Sequence, residues 1–143
     1  MINSNTTLAE LQAMNKNTLM EQLGIEYLEL KAGFVKARMP VNNKTRQPMG
    51  ILHGGSSMAL AETLGSLGSA FIVGHDQSEI RGMHLTASHI RAVTEGFVIA
   101  DAVIIHQGRK THVWNIDIKD ESGNLVSTCR LTNFVVTPKK KEE

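Results

Sequence analysis

Between Gly54 and Gly74 the sequence carries a single charged residue, Glu62, in 21 positions. A helix lying on a protein surface needs a polar face opposite its apolar stripe. This segment has none, so the expectation is a helix over about 54–73 that is buried nearly all round. It is also rich in small residues: Ala59, Ala61, Gly65, Ser66, Gly68, Ser69 and Ala70. Small side chains let a sheet approach the helix axis closely, although each glycine costs a helix about 1 kcal/mol. A membrane span is the rival reading for about 20 apolar residues. The central glutamate, the serines and the lack of flanking basic anchors argue against it.

The rest of the chain supplies what could wrap such a helix. Leu8, Leu11 and Met14 share helical spacing, and Thr7 with Glu10 has the spacing of a capping box. A short helix is expected there, with another turn or two over 19–23 ended by Gly24. Residues 25–39, broken at Ala32-Gly33, read as a hairpin. Residues 40–48 read as a polar loop. Three further strands follow over 79–94, 97–105 and 111–119, with Trp114, Ile116 and Ile118 on one face of the last. The run Asp120 to Asn124 is a hairpin turn leading to a final strand over 125–137. Residues 138–143 read as a frayed charged tail. The expected architecture is α+β, a single domain over 1–143 with one antiparallel sheet and one long central helix.

Composition removes several classes of function. The chain has 143 residues, and 15 Lys+Arg against 14 Asp+Glu leave a net charge of +1. That balance argues against a nucleic-acid partner, which calls for a dense basic face. One cysteine, Cys129, excludes an internal disulfide framework. The six histidines form no close ligand pair, so no metal is expected. The first residues hold neither a basic stretch nor an apolar run, which makes a cytoplasmic location the simplest expectation.

The chemistry is expected around Glu62. Its helical neighbours Met58, Ala59, Gly65 and Ser66 offer no cation, and an unpaired buried carboxylate costs several kcal/mol or is neutralised. Either it pairs with a distant arginine such as Arg91 or Arg130, or it does chemistry. Just upstream, His53-Gly54-Gly55 stands where the helix begins. Glycines there let a ligand approach unsatisfied backbone N–H groups, a ready oxyanion site. Eight residues separate Gly54 from Glu62, or ~12 Å of helix. One chain therefore cannot bring both to one carbonyl, and a site shared across a homodimer is expected.

Gln47-Pro48, Gly50, His53-Gly54-Gly55, Ser57, Ala61-Glu62 and Gly65-Ser66 together resemble the active-site stretch of the hotdog-fold acyl-CoA thioesterases. The similarity is to the branch with a helix glutamate, which includes the Arthrobacter-type 4-hydroxybenzoyl-CoA and the 1,4-dihydroxy-2-naphthoyl-CoA hydrolases. It runs from the early helices to Arg130-Leu131-Thr132. The phenylacetate-associated branch commonly has aspartate at the position of Glu62. The resemblance implies a curved antiparallel sheet wrapped around the helix, assembled as dimers and tetramers. It implies hydrolysis of an aromatic or related acyl-CoA, with coenzyme A as part of the substrate and no separate cofactor.

By the same resemblance Glu62 would be nucleophile or general base, Gln47 would orient the thioester or water, and the Gly54 N–H would bind the thioester oxygen. His53 would brace that loop or bond near the oxygen, its alternative being a plain helix cap. Ser66 would contact the acyl group or the water. His89 and Arg91, in Ser88-His89-Ile90-Arg91, would stand near the nucleotide. Gly108, Arg109, Lys110 and Thr111 would form a phosphate-side turn. Gly55 would border the thioester, and Arg81, Gly82 and Met83 the acyl side. A non-catalytic acyl-CoA binder on the same fold is the alternative.

Overall fold

The computed structural model describes residues 2–74 and 78–137; the predicted charged tail over 138–143 lies outside them. Two short helices open the chain, α1 (Leu8–Met14) and α2 (Leu19–Leu23), followed by the hairpin β1 (Glu26–Lys31) and β2 (Phe34–Pro40). The long helix α3 (Gly54–Val73) comes next. Strands β3 (Glu79–His89), β4 (Phe97–Gln107), β5 (Thr111–Asp120) and β6 (Leu125–Val136) complete the order. All six strands form one sheet in the order β1-β2-β4-β5-β6-β3, every neighbour antiparallel. The sheet curves around α3, and this is the hotdog fold.

Local chemistry sets these elements. Thr7 Oγ1 accepts from the Glu10 N–H at 3.2 Å, and Glu10 returns a carboxylate to the Thr7 N–H at 2.8 Å. The capping box is thus complete. Gly24 closes α2 in the left-handed region at φ +70°. In the final hairpin the Asp120 N–H donates to the Asn124 carbonyl at 2.9 Å.

The inner face of the sheet alternates as a one-sided sheet must. Val35, Ala37 and Met39 of β2, Val98, Ala100 and Ala102 of β4, and Trp114, Ile116 and Ile118 of β5 are fully buried. They close on Leu60, Ala61 and Leu64 of α3. The small residues of α3 permit this approach: a Cβ added at Gly68 would enter the Trp114 ring, and one at Gly65 would strike Leu131.

Two expectations need correction. The strand expected over 79–94 stops at His89. Beyond it the N–H groups of Ile90 and Arg91 both turn to the Val126 carbonyl, and the Val93 carbonyl accepts from Leu52. Their hydrogen bonds leave the ladder although the side-chain pattern continues. More consequential, α3 is not buried all round within its own chain. Ser57, Leu60, Ala61, Leu64, Gly65, Leu67, Gly68 and Ser69 are buried, but Met58, Ala59, Thr63, Ser66 and Ala70 are half-buried and Glu62 is exposed. A single sheet covers one side of a helix, and the other side is left nearly uncharged yet open. The length and mean hydropathy of α3 alone would suit a membrane span; its inner side is instead the core of the fold.

Candidate active site

Two half-sites lie along α3, one at its start and one at Glu62. The first is held by the loop before the helix. Gln47 donates its N–H to the Ile51 carbonyl at 2.9 Å, and Gly50, at φ +78°, returns its N–H to the Gln47 carbonyl at 2.9 Å. The Gln47 Oε1 accepts from the Met49 N–H. With the side-chain oxygen so engaged, the Gln47 amide nitrogen is left as a donor.

His53 is the N-cap of α3, and its Nδ1 accepts from the Gly55 N–H at 2.7 Å. That bond places the proton of the neutral ring on Nε2. It also occupies the Gly55 amide, so Gly55, expected to border the thioester, offers no N–H to a ligand. The Gly54 N–H, by contrast, has no acceptor among the described residues. As the first amide of a twenty-residue helix it sits at the positive end of the dipole.

His89 belongs to this half-site. Its Nε2 lies 2.6 Å from where a Cβ of Gly54 would stand, and its Nδ1 is 3.0 Å from Ser127 Oγ. Only glycine admits the imidazole here. A cavity of about 330 Å³ opens beside these residues, bordered by Gln47, His53, Gly54, Ser57, His89 and Arg91. Ser127, fully buried on β6, is absent from the sequence expectations. Its signal is faint: a polar residue at an inward position of β6, where Cys129, Leu131 and Val135 are apolar and Asn133 is polar.

The second half-site centres on Glu62. Its carboxylate lies over Gly82 of β3, where a Cβ would collide with Oε1. Among the described residues Glu62 makes no ion pair, so neither Arg91 nor Arg130 neutralises it. The expectation of a sealed carboxylate fails for the single chain: Glu62 is exposed, and no described residue seals it from solvent. Beside it runs a groove of about 620 Å³, mostly apolar, between α3 and the α1–α2 arm. Glu62, Thr63, Ser66 and Ala70 form one wall, and Leu11, Met14, Leu19, Met20 and Tyr27 form much of the other. Burial raises the Tyr27 phenol pKa despite its 2.9 Å hydrogen bond to Asn15 Oδ1. The arm's contribution is also missing from the sequence expectations, since nothing local shows which surface a short helix will face.

The remaining expected residues divide between the two ends of the sheet. Arg81 pairs with Glu79 at 2.6 Å, and Met83 sits at a β-bulge on the exposed edge. Thr111 stands opposite Phe134, which stands opposite Arg81; His89 stands opposite Ser127. Seven residues of β6 separate Phe134 from Ser127, or ~23 Å. Within one chain, therefore, His89 and Arg91 do not join Gly108, Arg109, Lys110 and Thr111, although all six were expected near one nucleotide. The described residues contain no cluster of three metal-ligating side chains.

This geometry places a free carboxylate, a free helix-start amide and an apolar groove on one helix. The sequence pattern of the thioesterase superfamily matches residues 49–127, which include both Gly54 and Glu62. The chain belongs to the thioesterase superfamily. The proofreading thioesterase EntH of Klebsiella pneumoniae is 44% identical over 130 residues, covering 91% of this chain and 94% of its own. A crystal structure of a thioesterase from Pseudomonas aeruginosa superposes with a TM-score of 0.90 at 39% identity, covering 94% of this chain and 96% of its own. One from Haemophilus influenzae gives a TM-score of 0.90 at 38% identity, covering both chains fully. This thioesterase thus acts on thioesters of the acyl-CoA type.

Proposed function

We propose that the protein hydrolyses an aromatic or related acyl-CoA at a site shared between two copies of the chain, as in the helix-glutamate branch. Water adds to the thioester carbonyl, the C–S bond breaks, and the products are the free acid and the thiol of coenzyme A. Glu62 of one copy serves as base or nucleophile. The Gly54 N–H of the other donates to the carbonyl oxygen as negative charge develops on it. Gln47 supplies a further donor, His53 braces the amide loop, and Ser66, one turn beyond Glu62, borders the acyl group. The groove between α3 and the arm takes that acyl group, and its methionines suit a flat or irregular apolar body.

The observation that carries this reading is the placement of the two half-sites along β3. This strand is an eleven-residue sheet edge with most of its residues exposed. Such an edge is a template for another strand. Glu62 lies over Gly82 near one end and Gly54 lies against His89 at the other. If β3 pairs antiparallel with its own copy about the midpoint of Leu85 and Thr86, residue 82 of each chain stands opposite residue 89 of its mate. That register brings a carboxylate of one chain to the amide end of the other twice per dimer. It also covers the open, uncharged side of α3. The turn 108–111 then takes the nucleotide phosphates from the carboxylate side, with His89 and Arg91 approaching from the mate. A cytoplasmic homotetramer of two such dimers completes the reading.

Subunit mixing tests it. Glu62→Ala and Gly54→Val chains should each be inactive alone, and refolding them together should restore thiol release, because a mixed dimer contains one intact site. No recovery in proven mixed dimers would overturn the shared site. Single turnover in ¹⁸O-water then separates the roles of Glu62. Label in its carboxylate marks a nucleophile whose anhydride is opened at the Glu62 carbonyl, an outcome general-base catalysis cannot give.

A further inference from the structure

Glu62, Gly65 and Ser69 fall at i, i+3 and i+7 of α3, one stripe of the helix. The carboxylate at one end of the stripe rests over Gly82 of β3. The other end is held by Asn133 of β6, which is fully buried. Its Nδ2 donates to the Gly65 carbonyl at 3.1 Å and to Ser69 Oγ at 3.0 Å. Trp114 Nε1 of β5 also donates to Ser69 Oγ, at 2.9 Å. A hydroxyl accepts two hydrogen bonds and donates one, so the Ser69 proton points to His112 Nδ1, 3.0 Å away.

Neither acceptor depends on Asn133. The Gly65 carbonyl accepts from the Ser69 N–H as an interior carbonyl of an α-helix does, and Ser69 Oγ keeps the indole. Asn133 Oδ1, meanwhile, is buried with no partner among the described residues, a desolvation cost that an apolar side chain would avoid. Cys129, Leu131 and Val135, buried on the same strand, are apolar. The position of Asn133 gives the polar group a task. It pairs with Gly82 across the β6–β3 ladder, and directly opposite residues share a face with Cβ positions about 5 Å apart. Asn133 therefore stands beside the floor on which the carboxylate rests. That floor is an edge strand laddered to β6, with a bulge just after Gly82. Of Ser69, His112, Trp114 and Asn133, Asn133 alone pairs with Gly82.

We propose that Asn133 is a positioning residue for Glu62: by tying Gly65 and Ser69 to the strand paired with Gly82, it sets the rotation of α3 and holds the carboxylate in line for the mate's Gly54 amide. This rests on the reading above, in which Glu62 does the chemistry, and adds the residue that aims it. A small roll of the helix swings a long side chain sideways, and a slightly misplaced reacting group loses a large factor in rate.

Asn133→Ala, followed by thiol release and by melting, is the first test. Its kcat should fall about tenfold, the scale of a slight misplacement, with KM unchanged. In a Glu62→Ala background the same substitution should alter the residual rate by less than about twofold, because no carboxylate is left to aim. Combined with Gly82→Ala, which turns the same carboxylate away, the two losses should be less than multiplicative. Asn133→Val fills the space and removes the unpartnered oxygen. It should lose as much kcat as the alanine variant while melting no lower than wild type. A merely structural residue would do the reverse, with stability falling and kcat of the folded protein holding. That result, a tenfold loss that persists without Glu62, or a change in KM alone would overturn the proposal. Independently, the Asn133 side-chain amide protons of the wild type should exchange slowly with solvent by ¹⁵N NMR. Exchange as fast as that of an exposed asparagine would overturn the bridge itself. Failure of the underlying reading looks different: Glu62→Ala alone would keep near-normal turnover. A large loss in Glu62→Ala with none in Asn133→Ala removes only the positioning role.

Discussion

The two sides of α3 lack charge for different reasons. On the inner side Gly65, Gly68 and Ser69 are small because Leu131 and Trp114 press against the helix, and Ser69 is drawn into a buried hydrogen-bond network with Trp114, His112 and Asn133. On the outer side Ala59, Ser66 and Ala70 border a groove, and the one charge, Glu62, stands exposed with no partner among the described residues. The inner side is complete within one chain. The outer side has the composition of a core without the cover of one. A surface of that kind is read most economically as one finished by another copy of the chain and by substrate.

That contrast implies that substitutions on the two sides separate activity from stability. Glu62→Ala should give the largest effect on turnover, a loss of ~10²–10⁴ in kcat, the range for removing an acid–base group. Its thermal midpoint should stay within the small range of surface substitutions, about 0.5 kcal/mol either way. Free-thiol release and a melting curve on the same preparation measure both. Near-normal turnover would remove Glu62 from the chemistry. A collapse of the midpoint would mean that the outer carboxylate is structural after all.

Gly82→Ala sharpens the contrast from the strand side. The added Cβ would occupy the space of Glu62 Oε1, so the carboxylate must turn away. Turnover should fall by ~10-fold or more, as a misplaced catalytic group predicts, while the exposed edge of β3 keeps the fold intact. Gly68→Ala is the inner counterpart. Its methyl enters the Trp114 ring and should lower stability by about 1–3 kcal/mol, the usual cost of overpacking. Any loss of turnover should follow the unfolded fraction. If Gly68→Ala instead lowers kcat in fully folded protein, the two sides are not independent.

What could be read from the sequence follows the range of the interactions. The Thr7–Glu10 box, the Gly24 stop and the Asp120–Asn124 turn are decided within a few residues, and all three form as expected. The end of β3 was missed because its hydrogen bonds go to Val126 and Leu52, partners remote in sequence. The Ser69 network joins residues 43 to 64 positions apart, so no local pattern announces it. The absence of charge along α3 is visible in the sequence, but not which molecule supplies the cover. For that reason Glu62 stood out in the sequence while its exposure did not.

The smallest effect expected is a pH dependence of stability arising on the inner side. Burial, followed by the nearby His106, lowers the His112 pKa from its ordinary value of 6.5, against a smaller upward pull from the Gly108 carbonyl. The groups facing it from the packed elements are Ser69 of α3, His106 and Gln107 of β4 and Asn133 of β6, none of them an acid to favour the charged ring. A proton on Nδ1 would also have no acceptor, because Ser69 already receives two donors. Between the lowered folded pKa and 6.5 the unfolded chain therefore binds more protons at this site than the folded one. Stability rises with pH across that window. The contribution is fully present above about 6.5 and is lost progressively as the pH falls towards the folded pKa. Urea titrations of wild type and His112→Gln at pH 7.5 and 5.5 isolate it: the difference in stability between the two pH values should be smaller in the variant. A wild-type decline that survives unchanged in His112→Gln would show that His112 is not its source.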